Sequence, residues 1–177
     1  VLFLDIRNFS KFCEMKSPEE INKYQNEVLG FMIEIVNKNS GIVNQILGDG
    51  FMATFGAPVE NDNHTQNSVN AALEIVNELN KKNENGEIPE TNIGIGIHTG
   101  EAYTGNVGTD ERQQYSITGN IVIMAARLEQ LNKEFNTSII VSKDVFDSVT
   151  IEDVRYKFLE DVSIKGFADP IQLYGLS

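Results

Sequence analysis

Basic residues are scarce in this sequence. Its 14 Lys and Arg stand against 26 Asp and Glu, a formal net charge of −12. Counterion-driven binding to nucleic acid needs a basic face, so no polynucleotide partner is expected. A small polyphosphate is still compatible, because a divalent cation and one or two local Lys or Arg can neutralise it. Cysteine is represented by Cys13 alone, which excludes an internal disulfide and a Cys-rich zinc site and fits a reducing compartment. No apolar run approaches the roughly 20 residues that span a bilayer. The opening VLFLDI meets a charge at Asp5, so neither a membrane helix nor a signal peptide is expected within the chain, and the expected location is cytoplasmic. With only 4 Pro, 41% hydrophobic and 23% charged residues, the composition is that of a folded chain, not a fibrous or disordered one.

At 177 residues the chain is expected to form one domain, 1–177, large enough to bury about 70% of the surface its unfolded form would expose. It opens on Val1 without an initiating Met. The expectation is a piece excised from a longer protein, with regulatory or membrane parts upstream.

Val1 to Ile6 is short and rich in strand formers. Ser17, Pro18 and Glu20 then supply a helix cap, a first-turn proline and a capping-box acid. Ile21, Tyr24, Val28, Phe31, Met32 and Ile35 continue that helix at 3.6-residue spacing until Asn39-Ser40-Gly41. The runs Ile42–Leu47 and Phe51–Phe55, parted by Gly48-Asp49-Gly50, predict a tight hairpin. A second helix is predicted from about Asp62 to Lys82, then a polar loop, Asn83 to Glu90. The alternation in Asn92–Thr99 predicts a strand, with Ala102–Val107 as its hairpin partner. Further on, Gly119–Phe135 reads as a helix, Ser138–Val141 as a strand and Ser142–Val149 as a short helix. Arg155–Ile164 and Ile171–Leu176 read as strands. The order suits an α+β domain with a ferredoxin-like split βαβ core, helices on one sheet face and extra C-terminal strands.

Asp5 at the end of the first strand and Asp49 at the hairpin tip would share a sheet edge if strand and hairpin are neighbours. Hard oxygen ligands there suit Mg²⁺ or Mn²⁺. On residue chemistry alone, Asp49 serving its turn and Asp5 starting a loop is the favoured reading. His64 and His98 have no metal partners nearby in sequence, and the glycines at 94, 96 and 100 lie in a strand pattern rather than a dinucleotide fingerprint.

Five blocks read together are more specific. FLDIRNFS (Phe3–Ser10), LGDGFMATFGAP (Leu47–Pro58), GIGIHTGEAYTGNVG (Gly94–Gly108), YSITGNIVIMAARLE (Tyr115–Glu129) and IKG (Ile164–Gly166) resemble, in order and spacing, the class III adenylate/guanylate (nucleotidyl) cyclase catalytic domain. The resemblance implies an enzyme making a 3′,5′-cyclic nucleotide and pyrophosphate from a nucleoside triphosphate. It implies two divalent cations per site, Mg²⁺ or Mn²⁺, held by Asp5 and Asp49 with the Ile6 carbonyl. It also implies a phosphate turn at Asn8, Phe9 and Ser10, a terminal-phosphate contact at Lys165, a transition-state arginine at Arg127, and a homodimer with each site between two chains.

Three positions depart from the family pattern. Base recognition falls on Gln45 and Ser116, which can each donate or accept and so leave adenine and guanine open. Adenylate formation is favoured because the Glu/Cys pair of guanylate-forming relatives is absent. The ribose-orienting Asn of the family is replaced by Ile123, with Asn120 on the same helix flank. Slower catalysis, compensation by Asn120, and a catalytically silent nucleotide-binding or dimerisation module are the readings that follow.

Overall fold

The computed structural model of the chain describes residues 1–150, 154–164, 167 and 169–177. Its first half is built from β1 (Leu2–Ile6), α1 (Phe9–Cys13), α2 (Pro18–Lys38), β2 (Gly41–Ile46), β3 (Gly50–Phe55), α3 (His64–Glu84) and β4 (Ile93–Ile97). These strands lie in the order β2-β3-β1-β4 with β1 antiparallel to both neighbours, which is the predicted split βαβ core. The second half adds β5 (Tyr103–Thr109), β6 (Arg112–Thr118), α4 (Asn120–Phe135), β7 (Ile139–Ser142), α5 (Lys143–Asp147), β8 (Tyr156–Val162) and β9 (Ile171–Leu176). Strands β7, β9 and β8 extend the same sheet beyond β4, so the extra C-terminal strands lengthen one sheet instead of forming another.

The start of α2 forms as the sequence dictates. The Glu20 amide donates to Ser17 Oγ at 3.2 Å and the Ser17 amide to Glu20 Oε2 at 2.9 Å, satisfying two donors that helix geometry leaves free. Ser40, at φ 61°, turns the chain out after Asn39. The predicted stripe is the face that packs: Tyr24, Val28, Met32 and Ile35 are buried, Ile21 and Phe31 partly so. Each fully buried side chain of this size contributes roughly 1.5–3 kcal/mol.

Side-chain alternation along β1 separates the two faces of the sheet. Leu2, Leu4 and Ile6 join Phe51, Ile95 and the apolar stripes of α2 and α3 in the main core. Phe3, Asp5 and Arg7 therefore face the other way, and helices cover both faces, not one. Met124 and Leu128 of α4 pack with Ile140 and Leu173 in a second cluster on that opposite face, while Ile139 and Val141 belong to the first. The reason is the pair Gly94 and Gly96. A Cβ at Gly96 would overlap the Glu129 amide nitrogen and the Ala125 carbonyl, so the glycine lets the α4 backbone lie directly on β4.

A second correction concerns β5. It does not return along β4 but pairs with β6 around a two-residue turn, Thr109 opposite Arg112, in a separate two-stranded ribbon. The partner strand was hidden because Arg112–Gln114 is wholly polar, and β4 instead pairs in parallel with β7. Every β5 residue is exposed, Tyr103 at 84% and Val107 at 62%.

Gly96→Ala is expected to cost about 3 kcal/mol through overpacking against the α4 backbone. Urea denaturation should show a lower midpoint at unchanged slope. Gly105→Ala, where an added Cβ meets nothing within 4 Å, should change stability by less than about 1 kcal/mol.

Candidate active site

Asp5 lies at the penultimate position of β1, opposite Gly50 on one side and Gly94 on the other. Asp49 comes to it on the β2–β3 turn, whose geometry is fixed three ways. Gly48 takes φ 76°, the Leu47 amide donates to the Gly50 carbonyl at 2.8 Å, and Gln25 of α2 donates to the Gly48 carbonyl at 2.8 Å. The Ile6 amide then donates to the Asp49 carbonyl at 2.9 Å, tying the turn to the strand end. Two sequence-distant carboxylates thus share one sheet edge.

Their environment is electrostatically unfavourable to two anions. Burial, then the negative charges of Asp49 and Glu129, push the Asp5 carboxyl up to about 6 despite the nearby Arg7 guanidinium. Burial likewise raises Glu129, opposed by Arg7. Arg7 Nη1 lies 2.6 Å from Glu129 Oε1 and 3.8 Å from Asp5 Oδ2. Residue-level reading missed this pair, since 122 positions separate its members. The signal was an Arg two residues beyond Asp5 on the same strand face, with a glycine at the facing position of β4 to make room.

The residues fit a divalent cation. Among the described residues no cluster of three or more His, Cys, Asp or Glu side chains forms a closed metal cage. A pair of close carboxylates with uncompensated charge is an open site of the kind that Mg²⁺ completes with substrate phosphates. Neither histidine takes part. His98 bonds Ser142 Oγ at 2.8 Å and burial pushes it down to about 4, while His64 Nδ1 lies 3.1 Å from Thr65 Oγ1.

Asn8, Phe9 and Ser10 form the turn between β1 and α1, entered through Asn8 at φ 58°. Phe9 stacks on Tyr24 with ring centroids 6.2 Å apart, Phe12 packs tilted against it at 4.3 Å, and the Tyr24 hydroxyl bonds Thr91 Oγ1 at 2.8 Å. The turn is thereby anchored to the core beside Asp5.

Gln45 reaches the Asp5 face through a bulge in β2. The register slips between Val43 and Gln45, so Gln45 and not Asn44 lies opposite Met52, which pairs with Phe3 across β3 and β1. Ser116, half-buried on β6, sits on the separate ribbon.

Arg127 is not gathered with the acid pair. Its guanidinium donates to Gln130 Oε1 at 3.0 Å and borders a hollow with Glu134, Val162 and Ile164. Helix geometry explains why: residues two apart are about 200° around the axis, so with Glu129 turned towards β1, Arg127 points away from it. Asn120 and Ile123 lie on the Arg127 flank and are exposed, Ile123 at 52%. Lys165, in the IKG block, lies outside the described residues.

Comparison with known proteins bears on this arrangement. The chain is 32% identical over 176 residues to adenylate cyclase 1 of Rhizobium meliloti, covering 98% of this chain and 26% of that protein. Its fold matches the crystal structure of the adenylyl cyclase CyaB from P. aeruginosa at a TM-score of 0.87 and 26% identity, covering 99% of this chain and 91% of that one. A guanylyl cyclase crystal structure matches at 0.82 and 27% identity, covering 99% and 89%. No helix among the described residues is long and apolar enough to cross a membrane. The family model for the adenylate and guanylate cyclase catalytic domain matches residues 1–177, and the chain belongs to that family.

Proposed function

We propose that this domain converts a nucleoside triphosphate, ATP by preference, to a 3′,5′-cyclic nucleotide and pyrophosphate in sites shared between two copies of the chain. The observation that carries this reading is the division of the chemistry. Asp5 and Asp49 converge at one sheet edge, whereas Arg127 faces outwards on the far flank of α4. A second copy supplies the missing half to each site. The exposed strand β5 and the exposed Ile42 are surfaces such a partner would cover.

In the reaction the ribose 3′-oxygen loses its proton and attacks the α-phosphorus, and the bond from that phosphorus to the β-phosphate oxygen breaks to release pyrophosphate. Asp5, Asp49 and the Ile6 carbonyl would hold two divalent cations, which would acidify the hydroxyl and neutralise charge on the triphosphate. The amides at Asn8 to Ser10 cradle phosphate oxygens, with Lys165 on the terminal group. Arg127 of the other copy offers paired donors to the charge that grows on the α-phosphate. Gln45 and Ser116 meet the base edge, where either purine can be satisfied. Since the chain spans 26% of its Rhizobium relative, we assign it to a longer protein with regulatory or membrane parts.

Ile123 favours a second reading, a nucleotide-binding or dimerisation module without turnover. Its side chain is exposed on the flank where the family places a ribose-binding amide, so packing within the chain does not require it to be apolar.

With Mn²⁺ or Mg²⁺, the purified domain should form cyclic product and pyrophosphate from one of the four triphosphates, ATP foremost; product from none of them overturns the catalytic reading. Asp5→Asn and Asp49→Asn should abolish turnover. The Asp5 carboxyl is raised above its unfolded value, so its contribution to stability is full below about pH 4 and lost as pH rises through about 6. Asp5→Asn should therefore be roughly 1–2 kcal/mol more stable than the parent at pH 7 in chelator, measured by urea unfolding.

Mixing inactive Asp49→Asn chains with inactive Arg127→Ala chains should restore turnover, because one site of each mixed dimer is intact. No recovery, with mixed dimers established by mass, counts against a shared site.

Ile123→Asn should raise kcat with little change in KM, since misplacing a reacting group by about 1 Å costs on the order of 100-fold. An unchanged kcat there, with a large loss in Asn120→Ala, transfers the ribose-orienting role to Asn120.

A further inference from the structure

Arg7 stands beside two carboxylates and lies closer to one. Its Nη1 is 2.6 Å from Glu129 Oε1 but 3.8 Å from Asp5 Oδ2, and its Nη2 donates to the Glu129 main-chain carbonyl at 3.0 Å. The Arg7 and Glu129 side chains are 11% and 10% exposed, so the pair is shielded from water and each member depends on the other for compensation. Its seat is built by Gly94, where a Cβ would overlap the guanidinium. The pair ties the metal-bearing end of β1 to α4 within one chain.

Arg7 follows the end of β1, two residues after Asp5, and the Asp5 Oδ2 is within reach of a small rotation of the guanidinium. Left uncompensated, that guanidinium would take the Asp5 oxygens in a charge-assisted pair and repel an incoming cation. We infer that Glu129 is a positioning residue of the cation site: it holds the Arg7 guanidinium off Asp5 and so keeps the Asp5 carboxylate open to a divalent metal. This rests on the reading of Asp5 and Asp49 as cation ligands. It gives Glu129 a task distinct from gluing α4 to the sheet, and the two make opposite predictions for removal of the whole pair.

The test follows the rise in melting temperature with Mn²⁺ concentration in the presence of 3′-deoxy-ATP, which lacks the attacking hydroxyl and cannot cyclise. Glu129→Gln should raise the half-saturating Mn²⁺ concentration by about tenfold, the scale of losses when a group supporting a metal ligand is removed. The double variant Arg7→Met/Glu129→Met removes the competing cation together with its counter-ion and should return the half-saturating concentration to within about threefold of the parent. A merely structural role predicts no such recovery. Half-saturation of Glu129→Gln at the parent concentration, or a double variant no better than Glu129→Gln, overturns the inference. If Glu129→Gln does not fold, Glu129→Met, which also removes the charge and is one step from the double variant, is read against that double variant by the same criteria. A parent without a Mn²⁺ response, or an Asp49→Asn variant that keeps it, removes the cation-site reading itself. A failure confined to the Arg7 and Glu129 variants removes only the role given to Glu129.

Discussion

The site depends on the close approach of α4 to β4, which exists because two positions of that strand carry no side chain. Gly96 admits the helix backbone and Gly94 admits the Arg7 guanidinium. With larger residues there, α4 would stand off by the thickness of a side chain, and Glu129 could not reach Arg7 while Met124 and Leu128 still met Ile140 and Leu173. One packing choice therefore sets the depth of the second core, the seat of the buried ion pair and the direction in which Arg127 points. The cost is electrostatic. Asp5 and Glu129 flank a single guanidinium, and burial, with the charges of Asp49 and Glu129 behind it, raises the Asp5 carboxyl to about 6. A fold optimised for stability alone would place a neutral residue at one of these positions.

Much of this was legible in the sequence wherever the information is local. The capping box at Ser17 and Glu20 is present in both directions, because a three-residue spacing fixes its geometry whatever lies around it. The Gly48-Asp49-Gly50 turn and the buried stripe of α2 follow for the same reason. The split βαβ core followed from element order, since few topologies suit that succession.

What escaped was set by partners far away in the chain. The glycines of β4 were read as features of a strand, and their role as a helix seat appears only once Ala125 and Glu129 lie on them. The β6 strand was missed because its first three residues, Arg112–Gln114, are wholly polar and exposed. Arg7 and Glu129 each sit inside a recognised block, yet neither block shows that the two meet. Gln45 was assigned to base recognition by family resemblance alone; the β2 bulge sets it on the Asp5 side of the sheet, where regular alternation from Val43 would have set Asn44. The converging position of Asp49 needed the turn and the strand end to be neighbours, a condition the sequence stated without fulfilling.

The half-turn separating Arg127 from Glu129 on α4 also bears on control. Under the shared-site reading, the groups that must meet are carried on two rigid bodies, each already folded and internally braced. A modest rotation of one body against the other would part the acid pair from its arginine without breaking a hydrogen bond inside either chain. Such a domain can be throttled from outside by orientation alone. An attached sensor would need no contact with the nucleotide, only leverage on the angle between two copies.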